Sequence, residues 1–274
     1  MKITTVIEDH PNAEKDFAYE HGISVLFKAD NVEYLFDTGL TGLLMKNFPK
    51  LNEDPNKIQT VVLSHGHNDH AGGLMTLLKA IETKPDIYLG EGFYNPKYKI
   101  LPNGELEFKS CGFVESDLKD YEVTVVDKRD TKLSEHVHLF SRFQATNNFE
   151  HIPDKYVIKR NDMLEEDLFR EEIALGIETP KGLVLIVGCS HIGIVNICHS
   201  ILKNHRYKIR GIIGGTHLIN CTDERLEKTL DYLQKLNLDF LAVSHCTGDM
   251  NFPKIKEVFK DKFIFNTSGN IIEI

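Results

Sequence analysis

The chain has 274 residues, 41% hydrophobic and 27% charged, a balance that fits a folded globular protein and excludes a disordered one. Lys and Arg number 32 and Asp and Glu 41, so the formal net charge is −9, which repels phosphate backbones and argues against nucleic acid as a partner. No apolar run approaches the ~20 residues of a membrane helix, so no membrane partner is expected. The first residues lack the order of a secretory signal, and the cysteines (Cys111, Cys189, Cys198, Cys221, Cys246) are odd in number and scattered, so a cytoplasmic location is expected.

In chain order, residues 3–8 read as a β-strand from their β-branched content. Two apolar runs, 23–27 and 32–36, flank Asp30-Asn31 and predict a hairpin, with Asp37-Thr38-Gly39 directly after it. Residues 61–64 form a short apolar run consistent with a buried strand, followed by His65-Gly66-His67-Asn68-Asp69-His70. Leu74, Leu77, Leu78 and Ile81 recur at helical spacing, and 87–89 is another strand. Residues 91–165 hold Pro96, Pro102, Gly104 and Pro153 among short strands such as 123–126 and read as an insertion or lid within one domain, 1–274.

Regularity returns at 173–179 and 183–187, strands joined by Pro180-Lys181-Gly182. Gly188-Cys189-Ser190-His191 follows, then a helix over 194–203. The strand 209–213 ends in Gly214-Gly215-Thr216-His217, and Thr222 offers an N-cap with Asp223 and Glu224 in the first turn. The strand 239–243 ends in Ser244-His245-Cys246. A last helix near Pro253 and strands at 263–265 and 271–274 close the chain. Strands and helices alternate on both sides of the middle, which predicts an α/β architecture of sheets covered by helices.

Polar clusters thus sit just after predicted strands: Asp37, His65/His67/Asp69/His70, Cys189/His191, His217 and His245. Strand-end loops leave one edge of a sheet, where a rigid scaffold places functional groups. Imidazole suits divalent metals such as zinc, and carboxylate suits zinc, iron and manganese. Alternation in an extended loop points His65 and His67 the same way and turns Asp69 and His70 aside, towards a second metal. His217 reads as a substrate contact, a proton donor to a leaving group or a metal ligand. Gly214, Gly215 and Thr216 lie beside a helix N-terminus, where amide N–H groups attract anions, and are expected to bind substrate. Cys189 reads either as a ligand or bridge or as a small buried residue. His136-x-His138 can reach the site from the insertion, and Lys97, Lys99 and Arg142 can meet a substrate phosphate.

These motifs resemble the signature of the metallo-β-lactamase superfamily over nearly the whole chain. The resemblance implies a four-layer αββα sandwich with an inserted lid, and two divalent metal ions at its edge, zinc first with iron or manganese as alternatives. It implies His65 and His67 as ligands of one metal, Asp69 and His70 of the other, His245 as the last histidine ligand, and Asp37 as the acid that orients a ligand histidine. Most members carry a histidine before the 173–179 strand and an aspartate after the 183–187 strand. Here Glu171 and Glu172 stand at the first place, with Glu172 expected to support a ligand from behind, and Cys189 at the second, with His191 expected as a ligand.

Gly188-Cys189-Ser190-His191, Gly214-Gly215-Thr216-His217-Leu218 and His245-Cys246-Thr247-Gly248 resemble a subgroup that includes archaeal dihydropterin phosphate synthase-like proteins. The expected function is a metal-dependent hydrolase that cleaves an ester, lactone or phosphoester of a small molecule with metal-activated water, Asp69 and His217 acting in catalysis, and a phosphorylated substrate is left open. The alternatives are a pterin- or phosphoribosyl-related transferase and a non-enzymatic metal-binding sensor. A homodimer is left open.

Overall fold

The computed structural model describes residues 1–205 and 207–274. Its first sheet begins with antiparallel strands, Lys2–Ile7, Ser24–Ala29 and Val32–Phe36, with Ile271–Glu273 on the outer edge of Lys2–Ile7. The hairpin turn forms because Asp30 and Asn31 both take positive φ, 50° and 64°, as a tight primed turn requires. The chain then changes to parallel pairing: Val32–Phe36, Ile58–Val62, Asp86–Gly90 and Val123–Val126 lie side by side.

The second sheet repeats the plan. Asp130–Lys132, Val137–Phe140, Ala174–Thr179 and Gly182–Val187 pair antiparallel, and Gly182–Val187, Ile209–Gly215, Phe240–Ser244 and Phe263–Phe265 pair parallel. Alternate residues of these strands face opposite layers. Val184 and Ile186 join Val25, Phe27, Tyr34 and Phe36 between the sheets. Leu183, Leu185 and Val187 instead meet Ile194, Ile197 and Ile201 of helix Ile194–Asn204 and Leu230 and Leu233 of helix Asp223–Lys235. On the far side Leu35, Val61 and Ile87 pack on Phe48 and on Leu74, Leu77 and Leu78 of helix Leu74–Ala80. Three apolar layers between four structural layers make the expected αββα sandwich.

The stretch expected as one insertion is divided. Val123–Val126 closes one edge of the first sheet, and Asp130–Lys132 with Val137–Phe140 closes the second. Only Leu106–Phe108, Lys97–Ile100, Tyr156–Arg160 and Met163–Glu166 form a separate four-stranded sheet. Short strands broken by Pro and Gly look alike in sequence whether they pair with a central sheet or with each other, because pairing is a long-range choice. A bridge between His67 and Ser110 ties this small sheet to the histidine loop. No helix among the described residues is long and apolar enough to cross a membrane.

Candidate metal centre

Parallel strands align their C-terminal ends, so the loops after Val32–Phe36, Ile58–Val62, Gly182–Val187, Ile209–Gly215 and Phe240–Ser244 emerge at one edge of the sandwich. Gly188 permits the two sheets to close there, because a Cβ at this position would collide with Ser64 Oγ. Asp37, Ser190, His217 and His245, all at strand ends, have positive φ of 58°, 61°, 46° and 49°. Such strain in non-glycine residues persists where packing over-determines it and gathers at functional sites.

Four donors converge from three of these loops. His70 Nε2 lies 3.2 Å from Cys189 Sγ and 3.1 Å from His245 Nε2, and Cys189 Sγ lies 3.3 Å from His245 Nε2. Asp69 Oδ2 stands 3.6 Å from His70 Nε2 and 3.5 Å from His245 Nε2. A tetrahedral ion with bonds of ~2.0–2.3 Å spaces its ligands about 3.3–3.8 Å apart. The two imidazoles are fixed from behind: His70 Nδ1 donates to Asp37 Oδ2 at 2.6 Å, and His245 Nδ1 to Asp9 Oδ1 at 2.8 Å. With both Nδ1–H groups committed, two Nε2 lone pairs face each other, which is repulsive unless a proton or a cation stands with them.

A second cluster adjoins the first. His65, Cys189 and His191 offer ligand atoms within 4.8 Å of one another. The His67 ring lies 4.7 Å from His65 and 4.9 Å from His191. His65 Nε2, His67 Nε2 and both ring nitrogens of His191 are buried without a hydrogen-bond partner. Buried polar atoms are normally satisfied, so this concentration of unpaired nitrogens at one point fits a metal. Cys189 belongs to both clusters.

The electrostatics agree. Burial holds the His65, His67 and His191 imidazoles well below the ordinary histidine value, so they are neutral with lone pairs free. Burial alone would raise the Asp69 carboxyl, but His70 and His245 outweigh it and keep Asp69 ionised. Burial raises the Cys189 thiol well above its usual value, and a bound cation reverses that by taking the thiolate.

Glu172 acts on backbone: Oε1 accepts the His191 N–H at 2.7 Å and Oε2 the Ile192 N–H at 3.1 Å. Phe169 stacks on the His191 ring at 3.8 Å between centroids. The His217 ring sits 4.3 Å from His191. Burial first, and then the Arg225 charge, lower His217 to about 3, so its imidazole is neutral at pH 7.

Gly214, Gly215 and Thr216 do not form the expected anion cradle. The Gly215, Thr216 and His217 amides already donate to Gly188 O, Thr247 Oγ1 and Cys246 Sγ. The glycines serve close packing, since a Cβ on Gly215 would lie 2.5 Å from Cys246 Sγ. His136 and His138 bond to Asp30 and Asp130 and do not join the two clusters. Lys97 is buried in an ion triad with Asp167 and Glu171, and Arg142 pairs with Glu91.

Sequence reasoning missed Asp9, His21 and Tyr156. Asp9 follows the first strand as Asp37 follows the third, so the same strand-end rule could have found it. His21 Nδ1 reaches Asp9 Oδ2 at 3.0 Å and its Nε2 lies 3.3 Å from Asp69 Oδ2. The clusters open into a cavity of about 170 Å³ whose walls include Tyr156 and His217 and whose lining includes Lys99, Lys109 and Lys155.

A model of the metallo-beta-lactamase superfamily matches residues 21–188. The chain belongs to this superfamily. Over its full length it is 31% identical to a 7,8-dihydropterin-6-methyl-4-(beta-D-ribofuranosyl)-aminobenzene-5'-phosphate synthase of Methanocaldococcus jannaschii, covering 96% of that protein. Tm1679, a metal-dependent hydrolase of the beta-lactamase superfamily, matches with a TM-score of 0.84 and 28% identity over 100% of this chain and 99% of its own. A diphosphatase of the PhnP family shares the fold at 12% identity, with a TM-score of 0.54 over 100% of this chain and 97% of its own. The superfamily binds divalent metals, and membership supports a metal-dependent hydrolase, with the synthase relative leaving transfer beside hydrolysis.

Proposed function

We propose that this protein is a metal-dependent hydrolase of a small phosphorylated molecule. The observation that carries the reading is the pair of donor clusters joined at Cys189 and opening into a lysine-lined cavity. Asp69, His70, His245 and Cys189 would hold one divalent ion, and His65, His67, His191 and Cys189 the other, zinc being the first candidate for this nitrogen, sulfur and oxygen set. Ions held there lower the pKa of water towards ~7 and polarise a phosphoryl or acyl oxygen.

The protein's own groups do the rest. The ionised Asp69 carboxylate accepts a hydrogen bond from the attacking water and orients it. His217 donates an N–H hydrogen bond to charge that develops on the substrate. Lys99, Lys109 and Lys155 attract the substrate's phosphate, and the aromatic face of Tyr156 closes the cavity over the His67, His191 and His217 rings.

A second reading is group transfer of the dihydropterin phosphate synthase type, favoured by 31% identity over the whole chain to such an enzyme. A screen of metal-loaded protein against phosphomonoesters, phosphodiesters, lactones, thioesters and a pterin diphosphate separates the two. Hydrolysis of a phosphoester, falling by about 10²–10⁴ in Asp69→Asn, is the expected result. Product from the pterin diphosphate only when a second substrate is present would replace hydrolysis with transfer.

A further inference from the structure

Helix Asp223–Lys235 buries one face made of Arg225, Thr229, Leu230 and Leu233. An arginine on that face is out of place unless something neutralises it. Arg225 is only 9% exposed. Its backbone N–H donates to the capping Thr222 Oγ1, and its Nη1 donates to the His151 carbonyl, each at 3.2 Å. Its Nε and Nη2 are buried with no partner, and one turn along Thr229 Oγ1 has none either.

Among the described residues Arg225 forms no ion pair. Glu150 feels the Arg225 charge but makes no hydrogen bond to the guanidinium. Its oxygens accept from the Val195 and Asn196 amides and from Asn147 Nδ2, and burial pushes its carboxyl up. A buried guanidinium with two N–H donors left unpaired is costly. The two unpaired atoms are the side-on edge that grips a carboxylate or phosphate with two parallel hydrogen bonds. The helix N-terminus adds positive dipole at the same place, while the first-turn acids Asp223 and Glu224 are exposed to solvent. The loop before this helix carries His217, Ile219 and Asn220, which line the metal cavity.

We infer that Arg225 and the start of its helix, which follows the loop lining the metal cavity, form an oxyanion subsite that takes a phosphate or carboxylate side-on. It deepens the proposed function and rests on reading that cavity as the active site. The anion is either a group of the substrate or a free small anion, and the test separates them.

The test uses the intact metal-loaded protein with inorganic phosphate as probe and chloride at equal ionic strength as reference. Phosphate raises the melting temperature of the wild type saturably. Arg225→Lys keeps the charge, loses the fork and weakens the phosphate response about tenfold, and Arg225→Met abolishes it with metal content unchanged. An equal response in Arg225→Met, or no saturable response in the wild type, overturns the subsite. If Arg225→Met does not fold, an undiminished phosphate affinity in Arg225→Lys overturns it. A raised KM in Arg225→Lys for phosphorylated but not unphosphorylated esters assigns the anion to the substrate, and a melting response without that KM change assigns it to a free anion. His67→Ala keeps the Arg225-dependent response while losing metal, so failure of the subsite and failure of the metal reading are told apart.

Discussion

Asp9 and Asp37 show how single residues set the centre. Each accepts the Nδ1–H of one imidazole and so turns the other nitrogen towards the shared point. Asp9→Asn is expected to weaken metal affinity by about 10–100-fold while the fold survives, measured by competition with a chelator. An unchanged affinity would show that the carboxylate does not orient His245. The strand-end rule exposed His65, His67, His70, Cys189, His191 and His245, because a ligand must stand where a rigid strand stops. It did not expose His21, whose role comes only from meeting Asp9 and Asp69 in space. Away from the centre, Asp30 raises the His136 imidazole above its ordinary value, and His136 in turn lowers Asp30 to about 2. The stabilising pair is therefore complete between about pH 4 and ~6.5, is lost as pH rises through the raised His136 value, and is lost in acid as pH falls through the Asp30 value of about 2. Titration by NMR should place His136 above a free histidine, and Asp30→Asn should return it to the ordinary value.

Elements cooperate through Lys97. The small sheet was legible as irregular sequence but not as a layer, and Lys97 read as a phosphate ligand. Instead its Nζ sits 2.7 Å from Asp167 and 2.6 Å from Glu171, almost fully buried. This triad pins the segment before strand Ala174–Thr179, where Phe169 holds φ 47° and stacks on His191. Burial disfavours the Lys97 charge, but the two carboxylates outweigh it and raise its value, so Lys97 stays charged at neutral pH; the tie is lost in strong alkali, and in acid as Glu171, whose carboxyl burial raises, takes a proton. Lys97→Met leaves two buried carboxylates without their cation and should cost about 3–5 kcal/mol in urea unfolding. A loss below about 1 kcal/mol would mean that the triad does not hold the segment.

The whole molecule is the scale at which the sequence was most informative. Period-two strands and 3.6-period helices alternate, and that pattern alone demands sheets with helices on their outer faces, as the three apolar layers show. What stayed hidden was long-range pairing: which strands of 91–165 join the two large sheets, and which residues meet across the edge. At this edge the two donor clusters meet around Cys189, where divalent ions would be held. The most direct measurement is metal content per chain after equilibration of the intact protein with zinc, iron or manganese and removal of free metal. Two ions per chain are predicted for the wild type, with His67→Ala and His70→Ala each losing metal from its own cluster. A wild-type protein that retains none of these metals, or variants that retain as much as the wild type, would contradict the claim.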